Sequence, residues 1–491
     1  MIANLLLALG SICAAIALWS SPGLSHGLAQ AFVVLFLWEF YCAVTVSRRS
    51  AAPVVLRLGG FSWTQEDFCR GWLITGQIGT GKTLGAINAM LWQLSKNCPT
   101  WGGVCVDDKG LYWETLTKML RQLGREQDLI LLQVRPSDAP TGWKPAHTFN
   151  FLEDPYLPYS AKAKIVCDVA ASLGQRADQS FFRLQAQVQM EFAFQALLVG
   201  GYTVSLRGAY GMLTSETEMK TVMEAVAKKE TPEAEVLTEH YNTAFLSQPA
   251  EQLGGVKTTV ANYLKYFTDP DIADVFCPTK STFSLDDLDR GKIICVSIPQ
   301  RYQVERRYIN TLLKLSFYGH ALRRFDRPAA ARATDNLLIL WADEAQKIVT
   351  ASDDGMSDYN VVDVIREARA TVVAATQSYQ SLMPPMGDEK KAKVFIANMA
   401  NRVTFCAADE ESAKIAADTL GQRKAKRRTK GYSGGRSSSS WTEEDKYWFE
   451  PHELRKLRRF QAVVQHCGGG FRKVILPPVA PNGERPSWYR K

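Results

Sequence analysis

One octapeptide constrains this chain more than any other feature: Gly76-Gln77-Ile78-Gly79-Thr80-Gly81-Lys82-Thr83. It follows a short apolar run, residues 70–75, and opens a helical stretch reaching about Ser95. Strand, glycine-rich loop and helix start form the context a phosphate-binding loop requires. Glycines let the backbone curl so that successive N–H groups point at phosphate oxygens, and the helix N-terminus adds partial positive charge. Lys82 is expected at the β- and γ-phosphates and Thr83 on Mg²⁺, so ATP with Mg²⁺ is the expected ligand.

A second element completes such a site. Residues 337–344 read Leu-Leu-Ile-Leu-Trp-Ala-Asp-Glu, an apolar run typical of a buried parallel strand, ending in two carboxylates. Acids at the carboxyl end of a strand lie where open α/β sheets bind ligands. Asp343 is expected in the Mg²⁺ shell, and Glu344 is expected to orient and deprotonate the attacking water. A further strand, residues 372–375, ends in Thr376-Gln377-Ser378, and Gln377 is expected to sense the γ-phosphate. Upstream, either Arg366 or Arg369 could reach a neighbouring subunit's nucleotide as a trans finger. The alternative is a solvated face with an ion pair to Glu367.

The first fifty residues raise a different question. Residues 2–19 and 28–46 are almost wholly apolar, each close to the ~20 residues that span a bilayer as helix. Arg48 and Arg49 follow, while the loop between the runs has no Lys or Arg. The positive-inside rule then places both the N-terminus and the remaining chain in the cytoplasm. A cleaved signal is the rival reading, with Ala29-Gln30-Ala31 as its cleavage site. Against it stand the missing basic start and the long first run. The ten cysteines include no C-x-x-C pair and most sit in apolar runs, which fits small buried hydrophobes in a reducing compartment and argues against a metal site. A net charge of +8 over 491 residues favours a polyanionic partner only weakly.

Taken in order, these features resemble the coupling-protein ATPases of type IV secretion and conjugation systems. The resemblance rests on the apolar hairpin, the Gly76 to Thr83 loop, and Val104-Cys105-Val106-Asp107-Asp108-Lys109-Gly110, similar to that family's strand ending in Asp-Pro-Lys-Gly. Asp108 stands where the family has proline. Residues 283–299, the Asp343–Glu344 pair, Ala375-Thr376-Gln377-Ser378 and residues 396–421, with Asn398 and Asn401, continue it. It covers most of residues 1–475. The resemblance implies an inner-membrane, multi-pass ATPase, a homohexamer with most of its chain cytoplasmic. It implies single-stranded DNA with relaxase, or a secreted protein, as cargo, channel components and membrane lipid as partners, and Asp107 near the nucleotide.

The expected fold is α/β, a RecA-like core with an inserted all-α domain and an N-terminal two-helix transmembrane hairpin. The expected divisions are 1–49 for the hairpin, 50–158 and 269–476 for the core, 159–268 for the helical domain, and 477–491 for a frayed tail. Apolar residues recur at three- and four-residue spacing across the helical part. Residues 423–430 are basic and 431–440 rich in Gly and Ser, so 422–440 reads as a flexible loop able to touch phosphates.

Absent motifs narrow the field. His452-Glu453-Leu454-Arg455-Lys456 has lysine where a zinc protease needs its second histidine. No sequence-reading DNA module is present. Two rivals stay open: a double-stranded DNA translocase of the chromosome-segregation type, and a docking receptor in which ATP regulates assembly only.

Overall fold

The computed structural model describes residues 52–174, 180–353, 355–433 and 436–489. The expected hairpin at 1–49 lies outside them. Among the described residues, no helix is long and apolar enough to cross a membrane.

Strands β1 (Val54–Leu58) and β2 (Phe61–Thr64) form a two-stranded sheet. The main sheet contains β3 (Trp72–Thr75), β4 (Gly102–Asp107), β5 (Leu129–Gln133), β6 (Ile293–Ser297), β7 (Leu338–Asp343), β8 (Ala370–Thr376) and β9 (Asn401–Thr404). An antiparallel pair, β10 (Gln422–Ser433) and β11 (Arg436–Tyr447), stands apart from it, and β12 (Gln461–Gln465) and β13 (Phe471–Ile475) extend it. Its nine strands run in the order β13-β12-β9-β3-β8-β7-β4-β6-β5. From β9 to β5 every neighbouring pair is parallel, whereas β12 joins β9 and β13 antiparallel. The protein therefore has an α/β fold around a mostly parallel sheet.

Side chains alternate across this sheet because the strand period is two. Leu73, Val104, Leu340 and Val372 enter one core, while Ile74, Cys105, Ile339 and Val373 enter the other. Burial on both faces explains why these runs lack polar alternation. The sheet is assembled from chain on both sides of a helical stretch. Between β5 and β6 come helices Tyr159–Ser172, Ser180–Gly200, Leu206–Thr214, Glu216–Ala227, Pro232–Glu239, Ala250–Leu264 and Pro270–Phe276. Their starts are locally encoded. Ser215 accepts from the Glu218 N–H, and Thr231 caps the Ala234 N–H with Pro232 in the first turn. Residues 55–491 form one compact unit.

Two expectations are corrected. The described part of the expected flexible loop 422–440, residues 422–433 and 436–440, is not a loop, since it lies in the long antiparallel pair β10–β11. The reason is cross-strand charge: Lys424 faces Asp445 and Lys426 faces Glu443, with Lys424–Asp445 at 2.8 Å. The Arg428 guanidinium also lies over the Trp441 ring. A basic run read alone looks solvated, but here the acids Glu443, Glu444 and Asp445 on the next strand offset part of its charge.

Nor is the segment after Pro477 frayed over its described part. Val479 N–H donates to Leu84 O at 2.9 Å, and Asn88 Nδ2 donates to Val479 O at 2.9 Å. Proline-rich chain makes no helix or ladder of its own, yet it packs where a preformed helix supplies partners.

Candidate functional site

Strand order brings the expected residues to one edge. β3 carries the loop at its carboxyl end, β8 lies beside it, and β7 lies beside β8. Two interstrand spacings separate β3 from β7, about 10 Å. Lys82, Asp343, Glu344 and Gln377 therefore all emerge at the same edge.

The loop is built by close approach. Gly76 has φ +151°, and a Cβ there would sit 2.6 Å from Phe405 Cβ. Gln77 N–H donates to Cys406 O at 2.9 Å, and Thr80 Oγ1 to Gln77 O at 2.8 Å. Gly79 and Gly81 also have positive φ, as the curl demands. Ile78 at the tip is 77% exposed. Lys82 is buried, and its ammonium donates to Gly76 O at 2.5 Å and Gln77 O at 3.3 Å. The helix begins with a wide turn over Lys82–Ile87, in which Asn88 N–H reaches the Thr83 carbonyl. Half-buried Thr83 follows Lys82 directly.

Opposite the loop sits an excess of negative charge. Asp107 pairs in register with Asp343 on the neighbouring strand. Burial, then the charges of Asp107 and Glu344, push the Asp343 carboxyl up to about 6 against the pull of Lys82. Burial lowers the Lys82 ammonium, opposed by Glu344 and Asp343. Two carboxylates, Asp343 and Glu344, act on this ammonium, and oxygen donors of this kind suit a divalent cation. Asp107 itself, expected to bind the nucleotide, has both oxygens engaged. Oδ1 accepts from Lys109 N–H at 3.0 Å, and Oδ2 from Leu111 and Tyr112 N–H at 2.9 and 3.0 Å. It builds the turn after β4 and lends charge to Asp343.

Glu344 adopts a left-handed backbone, φ +56°, which is uncommon for a side-chain-bearing residue and clusters at functional sites. Its Oε2 accepts from the Nε2 of Gln377 and of Gln346. Gln346 Oε1 in turn accepts from Thr376 Oγ1 at 2.8 Å. Gln346 was not anticipated from sequence. Its position two residues after Glu344 is the signal that could have found it.

The arginines do not join this site within one chain. Arg366 and Arg369 precede β8, whose seven residues place them about 20 Å from its Thr376 end. Arg369 Nη1 donates to Asp335 O at 2.8 Å, and Arg366 lies 4.0 Å from Glu367. Among the described residues, Asp67, His466 and Cys467 bring three possible metal-ligand atoms within 4.8 Å. Asp67 is already committed to Thr64, and His466 Nδ1 to the Gly468 N–H.

Several solved structures share this fold. The conjugative coupling protein TrwBdeltaN70, in its unbound monoclinic form, is 17% identical with a TM-score of 0.63, covering 89% of this chain and 91% of that one. Plasmid coupling protein TrwB in complex with ADP and Mg²⁺ is 15% identical with a TM-score of 0.61, over 89% and 94%. VirB4 of Thermoanaerobacter pseudethanolicus is 12% identical with a TM-score of 0.50, over 89% and 99%. At such identities the likeness is one of fold. No curated protein matches the chain. A family model described as type IV secretory system conjugative DNA transfer matches residues 202–469, more than half of the chain and the part bearing Asp343, Glu344 and Gln377. With that match over more than half of its length, the chain belongs to the family of type IV secretory system conjugative DNA-transfer proteins.

Proposed function

We propose that this protein is an ATPase that couples a relaxase–DNA complex, or an effector protein, to a type IV secretion channel and drives DNA transfer in conjugation. The observation that carries this reading is the convergence of Lys82, Asp343, Glu344 and Gln377 at one sheet edge. Solved TrwB complexes with ADP and Mg²⁺ and with a non-hydrolysable ATP analogue support it.

The backbone from Gly76 to Thr83 holds the phosphates and Lys82 neutralises the β- and γ-oxygens. Thr83 and Asp343 are the residues that would hold Mg²⁺, which supplies charge neutralisation along the phosphates. Glu344 accepts a proton from the attacking water. Gln377 positions Glu344 and contacts the γ-phosphate. Arg366 or Arg369 acts on a neighbouring subunit's site in a homohexamer. Residues 159–268 serve as an all-α domain within a nucleotide core of 50–158 and 269–476. Residues 1–49 anchor the protein in the bacterial inner membrane, with the bulk of the chain cytoplasmic.

ATP hydrolysis by the full-length chain, with and without single-stranded DNA and across protein concentration, tests the reading. The expected rate rises with DNA and with concentration, and disappears in Lys82→Ala. A DNA-insensitive rate would favour a docking receptor, and normal turnover by Lys82→Ala would reject the site.

A further inference from the structure

The arrangement of the site sets the direction in which a nucleotide lies. Its γ end belongs with Lys82, Glu344 and Gln377, on the β7–β8 side of β3. The base end must then project towards β9 and β12, on the other side.

On that side the C-terminal part of the chain is bonded directly to the loop. Phe460 N–H donates to Thr80 O at 2.8 Å, and Leu476 N–H to Phe460 O at 2.8 Å. The Phe460 ring covers Gly81, where a Cβ would lie 2.5 Å from the ring. Phe460 holds this position at φ +65°, a left-handed conformation rare for a bulky residue. Beyond Phe460 the chain bonds to Leu84 and Asn88, the residues just past Thr83. Trp488 and Tyr489 then return to Phe460, with ring centroids 6.0 and 5.5 Å from it. The Arg459 guanidinium lies 4.9 Å from the Phe460 ring and 5.3 Å from that of Trp488. Yet Trp488 remains 53% exposed.

An exposed indole beside an exposed guanidinium is a platform for a flat aromatic ligand. The Phe460–Thr80 backbone bond keeps Arg459 beside the phosphate loop, and Trp488 packs on the Phe460 ring, on the side where the base must lie. We infer that Arg459 and Trp488 form the stacking surface for the purine base of the bound nucleotide. The inference rests on the ATP reading above and assigns the C-terminal segment a binding role.

The test is equilibrium binding of Mg·ATP and Mg·tripolyphosphate to the full-length chain, to Trp488→Ala and to Trp488→Phe. Tripolyphosphate carries the phosphates without a base, so its binding also reports an intact loop. Wild type should prefer ATP. Trp488→Ala should weaken ATP about tenfold while tripolyphosphate stays within about twofold, and Trp488→Phe should keep most of the preference. Equal losses for both ligands would mean that the segment only props the loop. No loss for either would mean that the base lies elsewhere, or that a second copy covers the indole. Each of these outcomes overturns the platform. A wild-type chain binding both ligands equally sinks the platform alone, whereas one binding neither sinks the ATP reading itself.

Discussion

Gln377 Nε2 donates to Glu344 Oε2 at 3.1 Å, joining the carboxyl ends of two adjacent strands. The bond aims the carboxylate at the edge where Lys82 lies, and under the roles proposed above it would tie a γ-phosphate contact to the residue that prepares water. Glu344→Gln removes the base but keeps the shape. Hydrolysis should fall by about 10²- to 10⁴-fold with nucleotide affinity nearly unchanged. Gln377→Ala should lower kcat by about 10- to 100-fold through misalignment. Single-turnover assays with separate binding measurements check both, and unchanged turnover in Glu344→Gln would reject its role.

Gln346 is the second amide on that carboxylate and is itself held by Thr376. Replacing it with Leu leaves Glu344 with one amide partner. We expect kcat to drop about tenfold with little change in KM, and partial recovery in Gln346→Asn. A change confined to KM would show that Gln346 contacts the nucleotide instead.

The raised Asp343 carboxyl, about 6 in the metal-free chain, gives a pH prediction. A carboxyl raised above its unfolded value stabilises the fold fully below about 3.8, and this contribution is lost as pH rises through 6. Asp343→Asn should therefore stabilise the chain in chelator at pH 7.5, by on the order of 2 to 3 kcal/mol, and hardly at about pH 3.5, below the unfolded value. The same substitution should sharply weaken Mg²⁺-dependent nucleotide binding. Thermal melts at the two pH values, paired with Mg²⁺ titrations, measure both effects.

Asp289 predicts the opposite slope. Burial would raise its carboxyl, but the His320 hydrogen bond and the Arg324 guanidinium reverse this and hold it well below the usual range. It accepts from His320 at 3.1 Å and Arg324 at 2.5 Å, and also pairs with Arg327. This depressed acid stabilises the fold above its unfolded value near 4, and that stability is lost as pH falls further. Asp289→Asn should cost about 3–5 kcal/mol at pH 7, because fully buried Arg324 loses its main counter-charge. The gap to wild type in denaturant melts should narrow towards pH 3.

Local chemistry was legible in the residues themselves. Glycine spacing marked the loop, and unbroken apolar runs marked buried strands. Each signal acts within a few positions of the chain and needs no partner from elsewhere. Tertiary structure decided what depends on distant pairing. It set β8 between β3 and β7, which brings Gln377 to Glu344. It consumed the Asp107 carboxylate in a turn and paired the basic run with an acidic strand. It also carried Val479 across 391 positions to Asn88, so that proline-rich chain lies against the loop helix. Such contacts follow from which surfaces the packed sheet leaves open, a property that no stretch of sequence holds alone.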